Sequence, residues 1–174
     1  MGAGDERVFE DVVRAYGPGL CAFAERFVGA ALAEELVQDV FCAIWVRREQ
    51  LIVRDTVRSY LYCAVRNRAY NVKRSARVTA HWVEREQLAA ASARETDVAS
   101  PLEHGVDRGT LAAAIEREIA NLPSRCREAF VLVRQHGLTY AEAAQVMGIS
   151  IKTVDVQLGR AMRALRAGLA GVWP

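Results

Sequence analysis

The 174-residue sequence lacks the patterns that mark disulfide-rich, metal-binding and membrane proteins. Its four cysteines, Cys21, Cys42, Cys63 and Cys126, include no C-x-x-C pair, and its three histidines are equally scattered. Metal ligands usually come in closely spaced pairs, so this spacing argues against a metal site and favours buried, reduced thiols. No signal peptide and no apolar run long enough to cross a bilayer is found. We therefore expect a cytoplasmic protein without metal or cofactor.

The sequence motifs of common enzymes are also missing. We find no nucleophile elbow, no phosphate-binding loop, no zinc spacing and no convergent set of acids and bases. Strand-like alternation and hairpin turns are absent as well. These absences argue against an enzyme and against a β-rich fold.

What the chain does contain is enough apolar residues for a core and an uneven distribution of charge. The apolar fraction is 52%, and the formal net charge is only +2. Seven basic residues and a single acid lie between residues 54 and 77, whereas residues 31–46 hold three acids and no base. Such segregation suits a protein that meets both a polyanion and a basic protein surface, although solvated helix faces give the same pattern.

Apolar spacing is helical along most of the chain and predicts an all-α fold of two small domains. Residues 51–55 are expected to form a loop, and Gly17-Pro18-Gly19 to separate the first two helices. The linker, rich in Ala, Ser, Thr and charge, is expected to be partly helical around residues 82–91. The expected helices of the first domain are 8–16, 20–27, 32–45 and 57–72. The expected organisation is a first domain at 1–76, a linker at 77–109 and a second domain at 110–174.

The strongest local signal is a helix-turn-helix pattern over residues 139–158. Thr139 is a good N-cap, and Glu142 three residues later completes a capping box. Gly148 supplies the left-handed turn, and Ser150 can cap the second helix. Small and apolar residues form the inner face of the pair, and Val154 with Leu158 anchors the second helix. A plain helical hairpin without DNA contact is the alternative.

In a helix-turn-helix, the second helix enters the major groove of DNA. The glutamine at 157 suits adenine, Arg160 suits guanine or phosphate, and the methyl groups of Val156 suit thymine. Arg163 and Arg166 are expected to hold phosphate. The residues predicted to face duplex DNA are Lys152, Thr153, Asp155, Val156, Gln157, Arg160 and Arg163.

A second constellation pairs an acidic helix with a basic, aromatic one. Glu35 and Asp39 lie one turn apart on one face of residues 34–45, which favours docking to a basic protein; two tolerated surface acids are the alternative. In residues 60–74, aromatic side chains alternate with arginines and amides, a mixture that suits single-stranded DNA. An amide such as Asn67 can contact the edge of an unstacked base. Core tyrosines with a solvated arginine face are the alternative.

Together these motifs resemble the sigma-seventy family of RNA polymerase sigma factors, specifically its extracytoplasmic-function branch. Residues from about 9 to 76 resemble region two, and residues from about 111 to 168 resemble region four. The segments that carry the resemblance are the acidic motif 33–45, the motif Val65-Arg-Asn-Arg-Ala-Tyr-Asn71, and Leu122-Pro-Ser-Arg-Cys-Arg-Glu-Ala-Phe130 followed by residues 137–144. Tyr60, where many members have Trp, and Asp155-Val-Gln depart from the family's pattern, which puts the promoter sequence in doubt.

The resemblance implies a role for each matching segment. It implies binding to core RNA polymerase, through the coiled coil of the largest subunit and the flap region, to promoter DNA, and to an anti-sigma factor. The residues implied to bind core polymerase are Glu35, Gln38, Asp39, Phe41 and Trp45. Those implied to act at the −10 element are Tyr60, Tyr62, Arg66, Asn67, Arg68, Asn71, Lys73 and Arg74, while the exposed residues of the helix-turn-helix would face the −35 element.

Two other functions fit parts of the sequence. A stand-alone helix-turn-helix regulator would also bind duplex DNA, but it needs a dimer interface, a ligand pocket or a phosphoacceptor domain, and no βαβ pattern is present. An adaptor would use its first domain to bind protein only. Gel shift without polymerase and run-off transcription with core polymerase distinguish these from a sigma factor.

Overall fold

The computed structural model describes residues 3–51, 53, 55–88 and 111–170, and its regular structure is helical throughout. No β-strand occurs in these ranges, which agrees with the predicted all-α class. One-turn 3-10 and π-helical segments lie at Arg48–Gln50 and Val131–Gln135. The α-helices are α1 Ala3–Val28, α2 Ala30–Val46, α3 Val57–Leu88, α4 Leu111–Asn121, α5 Ser124–Phe130, α6 Tyr140–Met147 and α7 Ile151–Leu169.

Helix α1 runs without a break through Gly17-Pro18-Gly19, so the predicted separation into two helices was wrong. A proline inside a helix costs about 3 kcal/mol because it removes one backbone hydrogen bond. Leu20 and Phe23 each stabilise the continuous helix by about 1.5–3 kcal/mol, since both are almost fully buried. Gly19 also serves packing, because a Cβ there would lie 3.1 Å from the hydroxyl of Tyr62 on α3.

Helix α2 begins after Gly29, whose φ of +79° favours glycine, and it packs against α1 and α3. Leu36, Val37 and Val40 form its buried face. The segment between α2 and α3 contains the 3-10 turn, and residues 51, 53 and 55 have no regular structure, as predicted. Ile52 and Arg54 of that predicted loop lie outside the described residues.

Helix α3 is longer than the predicted basic helix. It begins after Thr56, whose Oγ1 accepts a hydrogen bond from the backbone N–H of Ser59 at 3.1 Å. Leu61, Val65 and Ala69 face the core at helical spacing. The helix continues past Ala76 to Leu88, so the expected helical part of the linker is continuous with α3 as far as that residue. The remainder of the predicted linker, residues 89–109, lies outside the described residues. The description resumes with α4 at Leu111.

The four helices of the second domain pack around Ile119, Leu132, Val154 and Leu158, which are at most 3% exposed. Pro123 stands between α4 and α5, at the N-cap of α5. After α5 the chain forms the π-helical turn and then reverses at Gly137, where φ is +67°. Helix α7 contacts α4, α5 and α6 and so closes this domain.

The two domains lie against each other, with α6 packed on α3. Buried side chains of both domains form one hydrophobic cluster. The ring of His136, from the second domain, lies 5.3 Å from the ring of Tyr62 and 5.7 Å from the ring of Phe23, both in the first. The sequence indicated two domains but nothing about this contact.

Candidate nucleic-acid interface

The helix-turn-helix forms as the sequence predicts. Thr139 accepts a hydrogen bond from the Glu142 N–H at 3.2 Å, and the Glu142 carboxylate accepts one from the Thr139 N–H at 2.9 Å. Gly148 is left-handed with φ of +65°, and Ser150 caps α7 by accepting from the Thr153 N–H at 3.1 Å. Caps of this kind stabilise a helix by about 1 kcal/mol each, so local chemistry fixes where α6 and α7 begin.

The outer face of α7 presents most of the predicted duplex-binding side chains to solvent. Val154 and Leu158 are buried beneath it, as predicted. Lys152, Asp155, Val156, Arg160 and Arg163 are exposed, and Val156 is 42% exposed despite its apolar side chain. This face combines positive charge, one carboxylate and methyl groups. Side chains of these kinds suit contacts with DNA phosphates and with base edges in the major groove.

The two remaining predicted side chains of α7 are half-buried. Thr153 lies at the helix start, beside the cap residue Ser150. Gln157 lies at the boundary with α5, where its side-chain oxygen accepts a hydrogen bond from the Cys126 thiol at 3.1 Å. The glutamine is therefore oriented from inside the domain, a contact that the sequence did not indicate.

The predicted docking face on α2 divides into exposed polar residues and apolar residues beneath them. Glu35, Gln38 and Asp39 are exposed. Phe41, in contrast, is 7% exposed and packs edge-on against Phe9, so it belongs to the core that supports this face. A phenylalanine at a helical core position buries its ring in preference to leaving it in water.

Trp45, at the end of the same helix, is half-buried and covered from two sides. Its ring lies 4.9 Å from the ring of Phe9, and the Arg48 guanidinium lies 4.2 Å from its centroid. The tryptophan therefore closes the end of α2 and keeps part of its surface accessible.

A groove of about 450 Å³ lies between α2 and α3, next to the docking face. Its rim includes Asp39, Arg68 and Asn71, and the Arg68 guanidinium donates to the Asp39 carboxylate at 2.7 Å. Tyr60, half-buried, forms part of the wall. Asn67, exposed on the same stretch of α3, lies one turn before Asn71. The groove thus brings a tyrosine, an amide and an arginine together.

The predicted strand-binding residues of α3 do not all share one face. Asn67, Arg68, Asn71, Lys73 and Arg74 are exposed. Tyr62 is 4% exposed and lies inside the contact between the domains, so in this arrangement it does not reach a DNA strand. Its position follows from its spacing with Leu61 and Val65, which direct that side of α3 towards the core, and burial raises the pKa of its hydroxyl.

Arg66 also points towards the second domain. Its Nε donates to the Glu128 carboxylate, and its guanidinium lies over the Tyr70 ring, 4.6 Å from the centroid. Burial alone would lower the pKa of Arg66, but the hydrogen bond and the charge of Glu128 outweigh burial and raise it. Glu128 is only 6% exposed, and it also lies 3.6 Å from Arg125. The cation is thus paired with a buried carboxylate while itself partly buried.

Sequence reasoning missed Glu128 and His136 as contact residues. Both lie more than sixty positions from their partners on α3, and neither occurs in a motif that specifies a long-range contact. The spacing of Glu128 from the apolar positions Cys126 and Ala129, which places it towards the core, is the one signal that could have indicated a basic partner. Within the described ranges, no group of His, Cys, Asp and Glu side chains is placed to hold a metal ion, and no helix is both long and apolar enough to span a membrane.

The geometry therefore defines a two-domain, helical protein with a helix-turn-helix in the second domain and an exposed acidic face on α2. Two family models match it in order: Sigma-70 region 2 at residues 12–79 and Sigma-70, region 4 at residues 112–165. The chain belongs to the sigma-70 family, in its extracytoplasmic-function branch. Its function is that of an RNA polymerase sigma factor, and the stand-alone regulator is not favoured.

Relatives and solved structures agree with this assignment. The chain is 28% identical to the RNA polymerase sigma factor CnrH of Cupriavidus metallidurans, over 95% of its length and 88% of the relative's. It is 27% identical to the RNA polymerase sigma factor NccH of Alcaligenes xylosoxydans xylosoxydans, over 94% of its own length and 88% of the relative's.

Two solved structures share the fold. Sigma factor RpoE in complex with the anti-sigma factor NepR, from Bartonella quintana, matches with a TM-score of 0.67 and 22% identity, covering 94% of this chain and 98% of the other. CnrH in complex with the cytosolic domain of CnrY matches with a TM-score of 0.66 and 24% identity, covering 97% of this chain and 92% of the other.

Proposed function

We propose that this sigma factor assigns the steps of promoter recognition to three separate surfaces. The α2 face of Glu35, Gln38 and Asp39 binds core polymerase, the exposed side of α3 binds the separated strand of the −10 element, and α7 binds the −35 element as duplex. The observation that supports this division best is the exposure of all three surfaces on one small helical chain, each with different chemistry.

The groove between α2 and α3 supports the strand-binding role. At about 450 Å³ it has room for a nucleobase, and Tyr60 offers a ring in its wall. Stacking of a base on an aromatic ring contributes about 1–3 kcal/mol, which offsets the cost of unstacking that base from the duplex. Asn71 offers an amide group at the edge of the same groove, and Asn67 lies exposed one turn before it.

Binding to a promoter is then bivalent. Each DNA-binding surface is small, and the polymerase holds both at a fixed separation, so the second contact gains from effective concentration. The proposed site of action is the cytoplasm. The proposed role is to bind polymerase and promoter DNA, while the polymerase carries out RNA synthesis. Because RpoE was captured with the anti-sigma factor NepR, and CnrH with the cytosolic domain of CnrY, we also propose regulation by an anti-sigma protein.

Run-off transcription with purified core polymerase tests this function. The template is a library of genomic fragments, and the start sites are mapped by sequencing. We expect the chain to make core polymerase initiate at a small set of sites that share two elements. Initiation no different from that of core polymerase alone would overturn the proposal. A gel shift of the same fragments without polymerase tests the stand-alone regulator.

A further inference from the structure

A second cavity, of about 770 Å³, lies where α5 meets α1 and α3. It shares no lining residue with the groove between α2 and α3. A cavity of this size is typical of sites that take a small ligand. We call it the basic pocket, and the side chains that give it its chemistry are Arg26, Phe27, Tyr70, Lys73, Arg74 and Arg127.

The basic pocket has a strong excess of positive charge. Its lining contains four cations and a single acid, Glu128. That carboxylate is already engaged, because it accepts a hydrogen bond from Arg66 Nε and lies 3.6 Å from Arg125. Lys73 and Arg74 are exposed, and neither forms an ion pair with any residue that the structure describes. Cations gathered without counter-charge favour an anionic ligand.

Arg127 shows most directly that this part of the pocket lacks an anion. Its Nη2 donates to the Leu122 carbonyl at 2.9 Å, whereas its Nε is buried without a hydrogen-bond partner among the described residues. Burial lowers the pKa of Arg127, and the nearby charge of Arg26 lowers it further. The two guanidinium groups therefore repel each other across the pocket. An anion bound beside them would replace that repulsion by attraction.

Aromatic rings supply the other part of the chemistry. The rings of Phe27 and Tyr70 lie 5.5 Å apart between centroids, with their planes tilted by 54°. Arg66 lies over the Tyr70 ring, yet Tyr70 remains 41% exposed and Phe27 is half-buried. Part of each ring is thus accessible beside the cations. Rings in such a setting stack on the planar base of a nucleotide.

A nucleotide with more than one phosphate satisfies both halves of the pocket. Four cations against one carboxylate leave an excess of about three charges. A terminal phosphate carries about −1.5 to −2 at neutral pH, so one phosphate leaves this charge unbalanced and a second one balances it. Guanidinium groups also bind phosphate oxygens through strong, charge-assisted hydrogen bonds.

We propose that the basic pocket binds a nucleoside di- or triphosphate, with the phosphates on Arg26, Arg127 and the cations of α3, and the base on Phe27 and Tyr70. The proposal goes beyond promoter recognition and does not depend on it. Lys73 and Arg74 are also proposed to contact the promoter strand, but Arg26, Phe27 and Arg127 are not. A DNA strand is the other polyanion that could reach these cations, so the experiment includes it.

Isothermal titration calorimetry on the full chain measures binding of ADP, GDP, pyrophosphate and adenosine. EDTA excludes divalent metal ions, and salt at about 0.15 M screens exposed charges that lie far apart. The tighter-binding of the two nucleotides should bind about five- to a hundredfold more tightly than pyrophosphate, the gain expected from stacking a base. It should bind at least about tenfold more tightly than adenosine, which has no phosphate.

Two variants separate the base contact from the phosphate contact. Tyr70→Leu should weaken nucleotide binding by at least about fivefold and leave pyrophosphate binding within about twofold of the wild type. Arg74→Gln should weaken both by about fivefold. Arg134→Gln is the matched control, since Arg134 is exposed, lies outside the pocket and loses the same charge. Circular dichroism establishes that each variant is folded.

Nuclear Overhauser effects locate the base. Contacts from the purine H8 to ring protons that disappear in Tyr70→Leu should place the bound nucleotide in the pocket. Their absence would overturn the proposal, as would nucleotide binding no tighter than that of pyrophosphate or of adenosine. Equal losses in Arg134→Gln and Arg74→Gln would overturn it too, because net charge would then explain them.

A labelled single-stranded oligonucleotide tests the other polyanion. If the strand loses affinity in both Tyr70→Leu and Arg74→Gln while neither nucleotide binds, the pocket belongs to DNA and the proposal is overturned. Failure of the proposed function looks different, because run-off transcription would then fail with the wild-type chain whether or not nucleotides bind.

Discussion

The thiol of Cys126 on α5 donates a hydrogen bond to the side-chain oxygen of Gln157 on α7, at 3.1 Å. Cys126 is 5% exposed, so the glutamine is oriented by a residue that duplex DNA does not reach. With its oxygen engaged inside the domain, Gln157 offers its amide N–H donors to the groove. Thymine O4 and the guanine acceptors O6 and N7 suit such donors, whereas adenine needs both the donor and the oxygen.

Replacing Cys126 by alanine should therefore weaken binding to the −35 duplex. The Gln157 side chain would lose its internal partner, and ordering a free side chain on binding costs about 0.5–1.5 kcal/mol, a two- to tenfold loss of affinity. Cys126→Ser retains a donor and should bind within about twofold of the wild type. Fluorescence anisotropy with a duplex taken from the mapped start sites measures both. Equal losses in the two variants would mean that the thiol acts only by filling space.

Charge reversal at Asp39 should weaken binding to core polymerase and leave the fold intact. Asp39 pairs with Arg68 across the α2–α3 groove, and both side chains are about half exposed. Exposed pairs of this kind contribute about 0–1 kcal/mol to stability, so Asp39→Lys should unfold at nearly the wild-type temperature. A lysine on the docking face would repel a basic partner instead of attracting it.

Asp11→Lys is the control for this experiment, because Asp11 is an exposed acid of α1 that pairs with Arg14. Biolayer interferometry with immobilised core polymerase should show a loss of at least about tenfold for Asp39→Lys and little change for Asp11→Lys. Similar affinities for both variants would remove α2 from the docking surface.

Truncation of Asn67 should impair promoter melting more than polymerase binding. The side chain is exposed and has no role in the core, so Asn67→Ala should keep the wild-type stability. Loss of an amide that contacts an unstacked base costs about 1–3 kcal/mol, which corresponds to roughly five- to a hundredfold fewer open complexes. Permanganate reactivity of the −10 thymines measures melting. Asn121→Ala, an exposed change in the second domain, is the control. A fall in core association instead would contradict the assignment.

Local chemistry explains why the helix-turn-helix could be predicted in detail from the sequence. Thr139, Glu142, Gly148 and Ser150 act on backbone groups within three residues of themselves, so their roles do not depend on the rest of the fold. The continuity of α1 could not be predicted in this way. Gly17-Pro18-Gly19 favours a break locally, and only packing of Leu20 and Phe23 against distant helices overrides it.

On α3, too, local sequence could not predict contacts with residues that are distant in the chain. Periodicity identified an amphipathic helix with basic and aromatic residues, and it predicted exposed Asn67 and Arg68. It could not assign Tyr62 and Arg66 to the domain contact, because that contact depends on Glu128 and on His136, which are distant in sequence. Phe41 was similarly placed at the docking surface although it packs against Phe9. Helical spacing alone does not distinguish a core aromatic residue from one at an interface.

Disruption of the capping box should lower stability by an amount that the local geometry sets. Thr139→Ala loses the acceptor for the Glu142 N–H and should lower the free energy of unfolding by about 1 kcal/mol. Thr139→Ser keeps the hydroxyl and should restore most of that loss. Urea denaturation followed by circular dichroism measures both variants. If the serine variant were as unstable as the alanine variant, the threonine methyl group and not the hydrogen bond would be responsible.

Acidification should open the contact between the domains through His136. Burial, with the nearby charge of Arg26 as a smaller cause, lowers the pKa of this imidazole to about 4. In separated domains the imidazole would regain water and titrate near its ordinary value of about 6.5. Between these two pH values the open chain binds a proton that the closed chain does not, so closure is fully stable above about pH 6.5 and weakens as the pH falls towards 4. Since the ring is only partly buried, we expect a loss of about 1–2 kcal/mol.

The variant His136→Phe isolates this effect, because a phenyl ring can keep the contacts with Tyr62 and Phe23 and cannot be protonated. Small-angle scattering should show the wild-type chain expanding between pH 7 and pH 5, while the variant changes much less. The carboxylate of Glu142, which Thr56 of the first domain contacts, weakens closure in the same direction but mainly at lower pH. Burial raises its pKa, but hydrogen bonds from Thr56 and Thr139 outweigh that and lower it, so it stays ionised until the pH is more acidic still. Equal expansion of both proteins would show that groups other than His136 control the contact. NMR titration of the closed wild-type chain gives a second test: an imidazole that titrates near pH 6.5 would show that the ring is not buried there.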